Sequence, residues 1–372
     1  MKKKLERMNV MIFCLTIGGL FVLNCLKEDV VFSPNENRNL ALKPEFSIKA
    51  LINHSYTSDF EEYITDQFIA RDQWVEGKTL VERLLGKVEN NGVYFGKDGY
   101  LIERLAAVDH SQIDKTVNYI NQFVDRLDSS VKVDMMLIPA ASAIMKEKLP
   151  WISDDVDQLA LIEEIGEAVA DRIQFVNVNQ TFLDHRNEEL YFKTDHHINL
   201  KGALVAYEAY MEALGGVPTT YQLDKVKDGF LGTLGSQSGA YYNEKDEILT
   251  LDEPKGIQVH YLDDDDEKMD SVFVEENLEV KDKYTYYLNG NHSLVKITTQ
   301  NTEKEKLLII RDSYANIFTP TLLNDFSEIT LVDLRYYKLP ISELVQKEGI
   351  DRVLFLYSGK NFMSDVNFTF LK

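Results

Sequence analysis

Short apolar runs alternate with stretches of helical spacing along most of this chain. Val133–Ile138, stopped by Pro139, and Leu307–Ile310, Ile329–Val332 and Val353–Tyr357 are too short for buried helices but suit strands covered on both faces. Ile173–Val178 reads the same way. Between these runs, Ile113, Val117, Ile120, Val124 and Leu127 mark one helix face, and Leu159, Ile162, Ile165 and Val169 mark a second. Ala203–Leu214 forms a third helix, with Gly215-Gly216 as its stop. Strand, helix, strand order at this spacing predicts an α/β protein with a parallel sheet and right-handed crossovers, assembled from two separated parts of the chain. Residues 218–303 intervene as a strand- and loop-rich insertion. It holds the glycine-rich Gly229–Gly239, an acidic run Asp263–Glu267, and strand-like Tyr284–Leu288 and Leu294–Thr299 flanking Asn289–Ser293, a hairpin pattern.

The N-terminal region is different in kind. Lys2, Lys3, Lys4 and Arg7 precede Met8–Leu26, a charge-free stretch near the lower length limit for a membrane-spanning helix. Lys27-Glu28-Asp29 follows, so the charge asymmetry places the N-terminus inside and the remainder outside a bacterial cell membrane. A cleavable signal peptide is the competing reading, but Leu23-Asn24-Cys25 lacks the small residues a peptidase needs, and Asn24 makes Cys25 a poor lipidation site. Residues 1–27 are therefore expected to be a signal anchor and 28–55 a polar connector, with residues 56–372 as the main folded domain. Apolar spacing from Tyr56 to Leu85 suits one or two helices ending at Gly86, and Val93–Ile102 reads as a hairpin turning at Lys97-Asp98-Gly99.

Composition narrows the chemistry. With 372 residues, 44% of them hydrophobic, the chain can bury a sizeable core. Its 61 acidic and 40 basic residues give a net charge of -21 without a basic stripe, which excludes nucleic acid as a partner. The 2 cysteines, Cys14 and Cys25, both lie in the apolar N-terminal stretch, so the body has no disulfide, thiolate zinc site or thiol nucleophile. The acidic run lacks the alternating ligand spacing and glycine of a calcium loop and reads as a solvated loop.

Two stretches carry candidate chemistry. The run Lys306–Ile310 delivers Arg311-Asp312-Ser313 to a strand end, where the first helical amides of Tyr314–Phe318 also point. Ser313 there is either a helix cap or a nucleophile. The second stretch, Thr194-Asp195-His196-His197, precedes the helix beginning near Ala203 and holds 2 of the 7 histidines beside a carboxylate. Three chemistries compete for it. In one, Asp195 orients His197, which deprotonates Ser313 for attack on an acyl carbonyl. In another, Asp195, His196 and His197 ligate a metal, although adjacent histidines in a strand point apart and no further motif completes the set. In the third, the cluster only hydrogen-bonds near a helix start.

In order along the chain, the N-terminal anchor, Glu36–Leu40, Phe60–Arg71, Gly92–Gly99, Thr194–His197, Arg311–Ala315 and Val332–Tyr337 together resemble the DHHW proteins, relatives of the SGNH-like domains of alginate O-acetylation proteins. The resemblance implies a flavodoxin-like three-layer α/β/α fold of SGNH-hydrolase type with permuted order. Matched position by position, it makes Asp195 and His197 the Asp-x-His pair and Ser313 the nucleophile. Arg311 stands where glycine is usual, placing a charge near the substrate or crowding the turn. Ile198 stands where the name motif has tryptophan, removing an aromatic surface for a sugar ring.

The Ser313 amide is the first oxyanion donor expected, with Asn291 the candidate second and Asn361 a weaker one. The activity implied is O-acyl transfer, with acetyl as the group, to an extracellular or cell-wall polysaccharide. Acyl groups would come from a multispanning membrane acyltransferase, and no cofactor or metal is needed. A carbohydrate esterase with the same triad and a non-catalytic polysaccharide-binding or assembly protein are the alternatives.

Overall fold

A computed structural model of the chain describes residues 2–263 and 266–371. Asp264 and Asp265 of the acidic run lie outside the described residues. Two compact units form, Met1–Lys87 with Ser236–Tyr242, and Val88–Gly235 with Asn243–Lys372.

The first unit opens with helix α1, Lys2–Leu26, of which Lys4–Leu26 is long and apolar enough to cross a membrane. The short antiparallel strands β1 (Phe32–Ser33) and β2 (Arg38–Asn39) follow, then α2 (Ile48–Ile52), α3 (Ser55–Asp66) and α4 (Arg71–Leu84). Buried Asp66 ties these pieces together. Its carboxylate accepts from the Arg38 guanidinium at 2.5 and 2.7 Å and from the Ala41 amide at 2.8 Å. The Arg38 bonds hold the Asp66 carboxyl below its ordinary value. Glu36 joins from Arg38 and Arg71, so the Glu36–Leu40 and Phe60–Arg71 motifs form one ion-pair network.

The second unit begins with the antiparallel strands β3 (Glu89–Asn90), β4 (Val93–Phe95) and β5 (Leu101–Glu103). Asp98 and Gly99 take positive φ at the expected turn between β4 and β5. Then come α5 (His110–Arg126), β6 (Lys132–Ile138), α6 (Ala141–Ile144), α7 (Gln158–Ala168), β7 (Ile173–Phe175), α8 (Asn179–Asp184) and α9 (Leu200–Ala213). Polar side chains start the long helices where the apolar periodicity begins: Asp109, Asp157 and Asn199 accept the first free amides of α5, α7 and α9. The insertion supplies the pair β8 (Leu223–Phe230) and β9 (Asp246–Leu251), separated by α10 (Thr233–Ser238), then β10 (Gln258–Tyr261), β11 (Glu267–Met269) and β12 (Leu294–Thr298). The chain closes with β13 (Lys306–Arg311), α11 (Tyr314–Phe318), β14 (Glu328–Asp333), α12 (Ile341–Glu348), β15 (Arg352–Ser358) and α13 (Gly359–Ser364).

Eight strands make the central sheet, in the order β11-β10-β12-β14-β13-β15-β6-β7. The last five are parallel and come from both separated parts of the chain, as the pattern predicts. The insertion adds β12, β10 and β11 to the same sheet as an antiparallel edge. Alternate residues of β13 enter different cores. Leu307 and Ile309 pack with apolar residues of α9 and α11, while Leu308 and Ile310 pack with those of α5, α7 and α12. The result is a three-layer α/β/α fold with β13 near its centre.

One expected element is absent. Tyr284–Leu288 does not pair with Leu294–Thr299; Lys283–Tyr286 is a 3-10 turn, and β12 pairs with β10 and β14. The tyrosines are buried by tertiary packing, and their hydroxyls reach outside any hairpin. Tyr284 donates to the Ser313 carbonyl at 2.8 Å and Tyr287 to the Leu249 carbonyl at 2.6 Å. Aromatic, strand-favouring composition here records burial.

Helix α9 sits close against the segment before it because Gly202 has no side chain. A Cβ there would lie 2.3 Å from the Leu190 carbonyl oxygen and 3.1 Å from the Ile198 Cβ. Gly202→Ala is therefore expected to lower stability by about 1–3 kcal/mol, read from the shift in urea midpoint by circular dichroism. An unchanged midpoint contradicts this packing.

Candidate active site

Ser313 occupies the elbow between β13 and α11. Four apolar residues drive β13 through the sheet, and Asp312 fixes where it ends. The Asp312 Oδ1 accepts the Tyr314 amide at 2.9 Å, closing the turn, and Oδ2 accepts the Ser358 amide at 2.9 Å and the Asn361 side chain at 2.8 Å. The elbow is thereby bound to the end of the neighbouring strand β15. Ser313 remains only 8% exposed, and its amide donates to no acceptor among the described residues.

The Thr194–His197 segment is a tight loop. An isolated bridge pairs Tyr191 with Ile198, so residues 192–197 project from a two-residue neck. Asp195 folds back on its own chain, accepting the His197 amide at 3.1 Å in an Asx turn and the His197 Nδ1 at 2.6 Å. The carboxylate thereby grips both the backbone and the ring. The other ring nitrogen, Nε2, lies 2.8 Å from Ser313 Oγ. Asp195, His197 and Ser313 thus form one continuous, buried chain of hydrogen bonds.

Electrostatics follow from that burial. Desolvation alone would raise the Asp195 carboxyl, but His196, His197 and the Thr233 amide, which donates at 2.7 Å, hold it far below the ordinary range. The His197 imidazole is pushed below its ordinary value by burial and by His196, against the opposing pull of Asp195. A neutral imidazole bonded to a carboxylate on one side and a hydroxyl on the other can take the hydroxyl proton as charge develops on the ring.

Tyr284, which the sequence pattern placed on a strand, stacks on the His197 ring at 3.8 Å between centroids with 11° between planes. With its hydroxyl on the Ser313 carbonyl, it braces both partners of the central bond. No motif marks it; its signal is only that it lies in a tyrosine cluster too apolar for a loop.

The remaining sequence candidates fall in different places. Arg311 is buried, its Nη1 donating to Asn316 Oδ1 at 2.5 Å and to Asn291 Oδ1 at 3.4 Å, and its Nη2 to the His292 carbonyl at 3.4 Å. Burial pulls its pKa down while Asp333 and Asp312 pull it up. Asn291 also accepts from Asn316 at 3.3 Å, so Arg311, Asn316 and Asn291 form one network behind the elbow. Asn361 is committed to Asp312 and holds the elbow. Ile198 is fully buried beside Gly202, so this position is a core site and could not offer a sugar-stacking surface.

Asp195, His196 and His197 place ligand-type atoms within 4.8 Å of one another. Both ring nitrogens of His197 are engaged with Asp195 and Ser313, however, which leaves a ligand set of only two adjacent side chains.

The second unit has an SGNH-like three-layer α/β/α fold, and Ser313 ends its buried chain of hydrogen bonds from Asp195 through His197. The DHHW protein family matches residues 99–332, more than half of the sequence, and the chain belongs to that family. A DHHW family protein from Eubacterium siraeum is similar in structure, with a TM-score of 0.66 and 25% identity over 76% of this chain and 96% of that one. Bacillus cereus PatB1, solved with a sulfonyl adduct, is similar with a TM-score of 0.62 and 19% identity over 74% of this chain and 97% of that one. The O-acetyltransferase domain of Pseudomonas putida AlgJ gives 0.48 and 12%, over 74% and 93% respectively. No curated protein sequence matches the chain.

If neutral His197 takes the Ser313 proton, its pKa, lowered from the ordinary 6.5, sets the expectation that sulfonyl fluoride labelling of Ser313 rises with pH through a midpoint below 6.5 and is level at neutral pH. Labelling rates across pH, read by mass spectrometry, check this. A midpoint above 6.5 contradicts it.

Proposed function

We propose that this chain is an O-acyltransferase, with acetyl as the transferred group and hydroxyls of an extracellular or cell-wall polysaccharide as acceptors. The observation that carries the proposal is the continuous Asp195–His197–Ser313 chain at 2.6 and 2.8 Å. Ser313 Oγ attacks the acyl carbonyl of the donor while His197 Nε2 takes the hydroxyl proton. The tetrahedral intermediate collapses, the leaving group departs with that proton, and the acyl group stays on Ser313. A sugar hydroxyl then gives its proton to His197 and attacks the acyl-serine, and Ser313 recovers the proton as it leaves. Asp195 keeps the ring in the required tautomer and stabilises the imidazolium of each step. The Ser313 amide, without an acceptor among the described residues, is the first oxyanion donor of this reading, and the side-chain nitrogen of Asn291, whose oxygen accepts from Arg311 and Asn316, is its candidate second.

Membership of the DHHW family, together with the order of motifs that the sequence shares with it, supports this reading. Residues 1–27, read as an uncleaved anchor, would keep the domain on the outer membrane face, within reach of a multispanning membrane acyltransferase that supplies acyl groups. The reaction needs no cofactor.

Full-length protein in detergent, given an activated acetyl ester and a mixture of oligosaccharide acceptors, is expected to acetylate sugar faster than it releases acetate. Ser313→Ala should lower both rates by about 10⁴ or more. Acetate release unchanged by acceptor would make the protein an esterase, and turnover that survives Ser313→Ala would overturn both enzyme readings.

A further inference from the structure

The glycine-rich stretch of the insertion has a role that the triad alone does not explain. Strands β8 and β9 pair so that Phe230, the last residue of one, faces Asp246, the first of the other. Both chain ends arrive beside Thr194-Asp195. Asp246 Oδ1 accepts the Lys193 amide at 2.7 Å, and Oδ2 accepts the Thr194 amide at 2.8 Å and the Thr194 hydroxyl at 2.5 Å. The same hydroxyl accepts the Gly232 amide at 2.9 Å, and the next amide, Thr233, donates to Asp195 Oδ2 at 2.7 Å. From the other side, Lys281 donates to the Leu231 carbonyl at 2.6 Å. Gly232 leaves no slack: a Cβ there would sit 2.3 Å from the Asp195 Cβ and 2.6 Å from its Oδ2.

We propose that Asp246 and Thr194, acting through the Phe230–Thr233 loop, are positioning residues that set the Asp195 carboxylate on His197. The proposal rests on the triad reading above. Asp195 offers Oδ1 to the ring and Oδ2 to the Thr233 amide, so the rotation of its carboxylate about the Cβ–Cγ bond is decided by where that amide sits. The amide is placed by Gly232, Gly232 by the Thr194 hydroxyl, and the hydroxyl by Asp246. Each link is a hydrogen bond of 2.9 Å or less. A carboxylate is also an unlikely choice for stability here. Burial raises the Asp246 carboxyl to about 6, so its ionisation costs folding free energy as pH rises through that value. What the charge supplies is an acceptor for three donors at once.

The test uses the full chain and the variants Asp246→Asn, Thr194→Val and Thr194→Ser, compared at neutral pH with a small activated ester. Asp246→Asn and Thr194→Val are expected to lower kcat by about tenfold or more with KM within about twofold, because the reacting groups and not substrate binding are displaced. Thr194→Ser, which keeps the hydroxyl, should restore kcat to near the wild-type value. The double variant Asp246→Asn/Thr194→Val should be no slower than the slower single, since both cut one chain of contacts. A low-field proton resonance of His197 Nδ1–H is expected in the wild type and should broaden or move upfield in Asp246→Asn and Thr194→Val. Thr194→Val removes one hydroxyl and keeps side-chain volume, so it tests the idea even where Asp246→Asn does not fold. Folded variants that keep both kcat and the resonance overturn this proposal alone. A wild-type protein without the resonance overturns the triad reading, and this proposal with it.

Discussion

The hydrogen bond between His197 and Ser313 joins residues 116 positions apart at 2.8 Å, and most of the second unit's architecture bears on keeping that distance. A displacement near 1 Å between reacting groups costs on the order of a hundredfold in rate, so neither partner can be left to a mobile loop. Ser313 is fixed from the sheet. The β13 strand ends at Asp312, whose carboxylate spans to β15 and to Asn361 while closing its own turn. His197 is fixed from three directions, by Asp195 at one ring edge, by the Tyr284 face stacked on it, and by the bridged neck at Tyr191 and Ile198.

Burial gives these contacts their strength and also sets their cost. Asp195, His197 and Arg311 are charged or chargeable groups placed in the interior, where an unpaired charge is expensive. Asp195 is compensated by three donated hydrogen bonds. Arg311 is less completely compensated, since its Nε has no partner among the described residues. Its charge is offset by Asp333 and Asp312 at longer range and by the Asn316 and Asn291 side chains. This arginine organises the polar network of Asn316 and Asn291 and is buried in the protein.

Much of this was legible in the sequence. The apolar run Leu307–Ile310 specifies a central strand because four consecutive apolar residues can be satisfied only between two covered faces. The parallel strands and long helices were readable for the same reason, and the Asp-x-His and Ser313 positions stood out by residue type. The rest depended on contacts that periodicity does not encode. Whether Asp195 reaches its own histidine was decided by an Asx turn, which two-residue spacing in an extended chain does not describe. Tyr284 was hidden in a strand-like run because burial against a distant histidine and burial in a sheet call for the same residue type. Asp312 and Asp246 looked like two of many acidic residues until their partners, 46 and 52 positions away, came into view.

Acyl transfer through this site requires Ser313 to become covalently acylated. The most direct measurement is peptide mapping by mass spectrometry after full-length protein is mixed briefly with an activated acetyl ester and quenched in acid. An acetyl group is expected on the peptide containing Ser313, absent from Ser313→Ala and discharged when an oligosaccharide acceptor is added before the quench. A protein that turns over the ester while Ser313 stays unmodified, or that acquires the group on another residue, contradicts this expectation.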